Sequence, residues 1–147
     1  VGPIGAGRFT MVIRAISVHS TAVQAGREVA VKSYNHKKAG FDRASMVAEL
    51  DALSSIGIPE AHPNVANLLE RCESRFGVTH AFLEYCTGGT LRRFLQAPSH
   101  SLEEASALQL MQQLGGALRH IHSLGVAHRD VKPENILFMD SSYAQIK

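Results

Sequence analysis

The sequence predicts an α+β chain in two lobes, strand-rich up to about residue 86 and helical beyond it. Three observations predict this. Up to Asn35, apolar residues come in short strand-like runs, IGAG, MVIRAISV and REVAVKSY, parted by glycine and polar breaks. After Cys86 the glycine pair of TGGT interrupts regular structure, and apolar spacing then turns helical as far as Leu124. The composition, 45% hydrophobic and 19% charged over 147 residues, supplies apolar material for a core of modest size. A formal net charge of +2 is too small and too scattered to make nucleic acid a partner. No apolar run approaches the length of a membrane span, and no signal peptide opens the sequence.

Each element has a local reason. In Val29-Ala30-Val31-Lys32, strand alternation sends the two valines to one face and Ala30 with Lys32 to the other. Residues 42–57 switch to helical spacing, with Met46, Glu49, Leu53 and Ile56 on one stripe. VANLLERC and VTHAFLEY read as two further strands. LRRFLQ is a short helix ending before Pro98. A long helix is expected from Ser101, with Glu104 completing a capping box and Leu110, Leu114, Leu118 (or Ala117) and Ile121 as its stripe. Gly125 is its stop signal. Gly115 and Gly116 inside it should cost ~1 kcal/mol each relative to alanine, and close packing on another helix would account for them. Cys72 and Cys86 have no CxxC or zinc spacing, so free thiols in a reduced compartment are expected.

Four stretches can carry chemistry. Lys32 beside Ala30 suits a pocket holding a flat group and an anion, or else an edge strand with its lysine in solvent. Glu49 on an apolar stripe needs a cation, for which Lys32 is the candidate, unless it sits at the edge and reaches water. Gly5 and Gly7 in IGAGRFTMV permit close approach to phosphates, but a plain hairpin would use them equally well. In HRDVKPEN, Asp130 can accept a hydroxyl proton, Lys132 can neutralise a phosphate, and Asn135 offers an amide oxygen to a hard cation such as magnesium. Pro133 disfavours helix at Lys132. A zinc site at His120, His122 and His128 is disfavoured, because helical positions two apart do not share a face.

Taken together and in order, these stretches resemble a eukaryotic protein kinase domain of the serine/threonine type. IGAGRFTMV is similar to its glycine-rich loop, VAVK to its third-strand lysine motif and Glu49 to its C-helix glutamate. HPNV, residues 62–65, resembles the turn before the fourth strand, LEYCTGG the hinge and HRDVKPEN the catalytic loop. The resemblance implies a two-lobed protein-kinase-like fold, with an antiparallel sheet plus C helix in the N-lobe and the start of a mainly helical C-lobe, truncated. The expected boundaries are 1–83 for the N-lobe, 84–89 for the hinge and 90–147 for the incomplete C-lobe.

The resemblance also implies residue roles. Lys32 would hold the α- and β-phosphates of ATP and pair with Glu49; Ile4, Gly5 and Gly7 belong to the loop over the nucleotide. Val12, Ala30 and Leu137 would sandwich the adenine, Leu83 would be the gatekeeper, and the backbone of Glu84 and Cys86 would bond the adenine edge. Asp130 would be the catalytic base, Lys132 would steady the γ-phosphate and Asn135 would ligate Mg²⁺. The lysine of KPEN favours serine/threonine over tyrosine acceptors in a protein substrate. Arg129 resembles the arginine that reads an activation-loop phosphate, and His128 is expected to pack beneath the catalytic loop.

Three features depart from the pattern. Thr10 stands where the third glycine of the loop is expected, and its branched β-carbon disfavours a positive φ. The stretches between Val12 and Val29 and over residues 57–61 are longer than expected, as surface insertions would be. The DFG aspartate is expected about three residues beyond Lys147, so the chain as given is expected to be an inactive fragment. The alternative is a pseudokinase or truncated nucleotide-binding scaffold. An intracellular, cytoplasmic setting is expected, with the nucleus as the alternative.

Overall fold

A computed structural model describes residues 2–18, 24–57 and 61–147. The insertion-like stretches after Val12 and over residues 57–61 lie partly outside them. Five strands form one antiparallel sheet: Pro3–Ala6 (β1), Thr10–Ile16 (β2), Glu28–Asn35 (β3), Leu68–Ser74 (β4) and Val78–Glu84 (β5), in the order β1-β2-β3-β5-β4. The central β3 behaves as its alternation requires. Val29 and Val31 are buried with Ile13, Ala15, Leu69 and Phe82 on one face. Tyr34 joins Ala81, Leu68 and a helix on the other.

That helix, Arg43–Ile56 (α1), starts where Asp42 accepts hydrogen bonds from the Ala44 amide (2.9 Å) and the Ser45 hydroxyl (2.5 Å). The Ser45 hydroxyl is the main reason the Asp42 carboxyl lies below the usual carboxylate range. Met46 and Ile56 are buried as the spacing predicts, but Leu50 takes the central place and Leu53 only flanks it. Leu50 lies four residues after Met46, one turn along the same face. Arg71–Asp51 (2.7 Å) and Arg43–Glu73 (3.0 Å) tie β4 to α1. All four of these side chains are exposed, so the pairs add little stability.

The chain divides into two compact units, Val1–Gly57 with Asn67–Tyr85, and Ile58–Ala66 with Cys86–Lys147. The second unit holds Gly89–Thr90 (β6), Leu91–Gln96 (α2), Glu104–Ser123 (α3) and Leu137–Phe138 (β7), with β6 and β7 paired antiparallel. The glycine pair of TGGT allows close approach: a β-carbon at Gly88 would stand 2.3 Å from the Asp140 carbonyl oxygen. Thr90 caps α2, its hydroxyl accepting from the Arg93 amide at 3.1 Å.

Ser101 does not cap α3. Leu102 packs into the core, and Glu103 takes the N-cap position without a side-chain hydrogen bond. The first helical bond runs from the Ala107 amide to the Glu103 carbonyl, at 2.9 Å. Leu110, Ala117 and Ile121 are buried and Leu114 flanks the core. Gly125 ends the helix as expected, at φ +74, with its amide on the His122 carbonyl. Neither internal glycine meets a helix. Gly115 faces open space, and Gly116 faces the His62 ring, 3.7 Å from where a β-carbon would sit. The core joins Phe94, Leu110, Ile136, Phe138 and Ile146, with Phe138 fully buried. No described helix is long and apolar enough to cross a membrane, and neither cysteine is in a disulfide.

Candidate active site

Four candidate site residues of the first unit share one sheet face. In the β2–β3 register Val12 stands opposite Lys32, and in β3–β5 Ala30 stands opposite Leu83 and Lys32 opposite Ala81. Antiparallel partners point to the same side, so Val12, Ala30, Lys32 and Leu83 line one surface. That is the side of α1. Lys32 Nζ donates to Glu49 Oε1 at 2.6 Å. Both sequence alternatives for Glu49 are thus half right. It is paired, yet at the edge of the stripe, with 42% of its side chain exposed against 26% for Lys32.

The glycine-rich turn is β1, β2 and the residues between. A β-carbon added at Gly5 would meet Val12 at ordinary contact distance, and Ile4 is exposed. Thr10 opens β2, and among the described residues only Arg129 and Tyr143 are non-glycines with positive φ. The branched side chain at Thr10 therefore meets no left-handed backbone. Its hydroxyl instead fills the space beside Gly7, whose amide donates to the Thr10 carbonyl at 2.9 Å. Glu84 closes β5, with its amide on the Asn67 carbonyl at 3.0 Å.

In the second unit the loop between α3 and β7 is pinned at its end. Ile136 is buried, its carbonyl accepts from the Leu91 amide at 2.8 Å, and the Pro133 carbonyl accepts from the Arg92 amide at 3.1 Å. Arg92 also pairs with Glu134 at 2.7 Å. No helix forms at Lys132; its carbonyl instead closes a turn with the Asn135 amide at 2.9 Å. The result converges on one oxygen. Asp130 Oδ2 receives Lys132 Nζ and Asn135 Nδ2, each at 2.8 Å, and Asn135 Nδ2 also donates to the Asp130 carbonyl at 2.8 Å. The Lys132 hydrogen bond, followed by that of Asn135, lowers the Asp130 pKa, so the carboxylate is ionised at neutral pH. Arg129 just before it sits at φ +63, a conformation costly for a side-chain-bearing residue.

His128 departs from expectation. It is exposed and does not pack beneath the loop, but its Nδ1 accepts from the Asp130 amide at 3.2 Å and so orders the turn. Cys86 is buried, its thiol 3.8 Å from the Met139 sulfur, and Leu137 lies in β7. Among the described residues, no group of three or more His, Cys, Asp or Glu can hold a metal. A hard cation would instead find the Asn135 amide oxygen, left over because its nitrogen makes both hydrogen bonds, and the Asp130 carboxylate.

A family profile described as "Protein kinase domain" matches residues 1–147. The chain belongs to the protein kinase domain family. Human serine/threonine-protein kinase ULK1 is 36% identical over 110 residues, which are 75% of this chain and 10% of that protein. Serine/threonine-protein kinase ATG1c of Arabidopsis thaliana is 34% identical over 91% of this chain and 17% of its own length. A probable myosin light chain kinase of Dictyostelium discoideum is 33% identical over 91% of this chain and 39% of that protein. The chain thus spans well under half the length of these kinases. Among solved structures, a crystal structure of Rad53 residues 1–466 in complex with AMP-PNP matches with a TM-score of 0.79 and 27% identity, covering 99% of this chain and 35% of that one.

One residue of this kinase sheet went unremarked in the sequence. Tyr34, two positions after Lys32, shares its face by strand alternation, and that spacing is the signal that finds it.

Proposed function

We propose that the chain serves an ATP-dependent protein serine/threonine kinase, moving the γ-phosphoryl group of ATP to serine and threonine hydroxyls of proteins. The observation that carries this is the convergence of Lys132 and Asn135 on the single Asp130 oxygen Oδ2. It leaves the other carboxylate oxygen to accept the proton of an incoming hydroxyl. Lys132 lies beside that carboxylate, where its ammonium can offset charge on the transferring phosphoryl group. Lys32, steadied by Glu49, takes the α- and β-phosphates, while Val12, Ala30 and Leu137 take the adenine faces. The backbone of Glu84 and Cys86 reads its edge, with Leu83 behind it. Magnesium, when bound through Asn135, neutralises phosphate charge.

Two facts support the reading: the named relatives include serine/threonine kinases, and the solved Rad53 neighbour carries an ATP analogue. The lysine of HRDVKPEN supports serine/threonine acceptors. The 147 residues contain no DFG triplet. In the natural product that carries this chain, Asp130→Asn should abolish peptide phosphorylation and leave ATP affinity within about twofold of wild type. Unchanged turnover in that variant would remove Asp130 from the chemistry. Normal nucleotide affinity with no phosphorylation of any serine, threonine or tyrosine peptide by the wild type would favour the scaffold alternative.

A further inference from the structure

Tyr34 is the most deeply placed hydroxyl-bearing side chain near the Lys32–Glu49 pair. It is 3% exposed, packed with Met46, Leu50 and Ala81, and its hydroxyl oxygen is buried without a hydrogen bond of ordinary length. The Lys32 ammonium lies 5.1 Å from its ring centroid. An orphaned hydroxyl in a core costs its desolvation, and phenylalanine would fill the same space without that cost. Packing alone therefore gives no reason for a tyrosine here.

We propose that Tyr34 is a positioning residue: its hydroxyl donates to the Glu49 carboxylate and holds that carboxylate in place for Lys32. Three separate elements of geometry meet in this contact. Strand alternation puts Tyr34 and Lys32 on one face of β3, α1 lays Glu49 over that face, and Lys32 already occupies Glu49 Oε1. A carboxylate accepts along several lone pairs, so a phenol can donate while the ammonium stays bound. The electrostatics agree. Burial first, and then the charge and hydrogen-bonding reach of Glu49, push the Tyr34 phenol far above its ordinary value, so it stays a donor at any physiological pH. The half-exposed Lys32–Glu49 pair is open to water and gains little rigidity from itself. A buried third partner supplies that rigidity. The consequence for nucleotide binding rests on the function proposed above; the contact itself does not.

The experiment has two arms. With tyrosine labelled at the ζ-carbon, the 147-residue chain shows three resonances, for Tyr34, Tyr85 and Tyr143. Glu49→Gln should move the Tyr34 resonance and leave the other two; an unmoved Tyr34 resonance overturns the contact whether or not the chain binds nucleotide. In the second arm, Tyr34→Phe should weaken ATP affinity about fivefold, the yield of one net hydrogen bond. The same substitution in the Glu49→Gln background should cost no further affinity. Wild-type affinity in Tyr34→Phe would reduce the residue to packing and overturn the positioning role. Should the wild type bind no ATP, the nucleotide reading fails on its own, and the carbon-13 arm alone decides the contact. Should Tyr34→Phe not fold, the tyrosine hydroxyl is needed by the core, and again the resonance arm decides whether Glu49 is its partner.

Discussion

A β-carbon added at Gly7 would stand 2.6 Å from the Thr10 hydroxyl oxygen, so the two residues are fitted to one another. In the sequence Thr10 counts as a missing glycine; in the structure it is the neighbour that requires Gly7 to remain one. Gly7→Ala should force Thr10 off its rotamer, at about 1 kcal/mol. Thermal melts should show that loss in the wild-type background and its disappearance in Thr10→Ala. Equal losses in both backgrounds would mean that the alanine meets something else. The polar residues of HRDVKPEN stood out one by one, because Asp130, Lys132 and Asn135 stand in a spacing that a plain surface loop has no reason to keep. Their convergence on one oxygen was not legible. It depends on the turn closed by the Lys132 carbonyl and on Arg129 entering the left-handed region, and neither follows from residue type.

Helix ends show why elements were read more surely than their boundaries. Asp42 and Gly57 flank α1 as the expected 42–57 range implied, whereas the Ser101 capping box failed because Leu102 was needed in the core. Tertiary burial overrode a local signal. The Asp42 cap gives a pH prediction with a definite sign. Its folded-state pKa is depressed, so its contribution is present above the unfolded value of about 3.9 and is lost as pH falls through the lower folded value. Asp42→Ala should therefore lower the melting temperature at pH 7, and the gap from wild type should close in strongly acidic buffer. His62 gives a second. Burial foremost, then His120 and Lys147, lowers its pKa, and its Nδ1 already accepts from the Asn64 amide at 3.1 Å. The neutral ring is the folded form. The stability it contributes is full above about pH 6.5 and falls as pH drops through its depressed folded value. In a pH series of melts, His62→Gln should flatten this part of the profile.

The two units imply two sets of mutational consequences. Leu50 anchors the sheet-and-helix core of the first unit and Phe138 the core of the second. Leu50→Ala should cost about 2–5 kcal/mol and Phe138→Ala about 3–5 kcal/mol, read by denaturant unfolding. Hydrogen exchange would show where each loss falls. Leu50→Ala should lose protection first in β3, β5 and α1, and Phe138→Ala in α2 and α3. The strand-rich and helix-rich halves were visible from periodicity alone. The placement of residues 61–66 with the second half was not, since it rests on partners distant in sequence. Asn64 donates to Gln113 (2.8 Å) and to the Ile146 carbonyl (2.9 Å), and Gln145 donates to the Pro63 carbonyl (3.0 Å).

The most direct measurement of the central claim is equilibrium binding of ATP with excess Mg²⁺ to the folded chain, beside Lys32→Met and Asn135→Ala. Saturable binding that Lys32→Met weakens at least about tenfold, and whose Mg²⁺ dependence Asn135→Ala diminishes, is the predicted result. A folded chain that ignores the nucleotide, or binds it equally well without either side chain, would contradict the account.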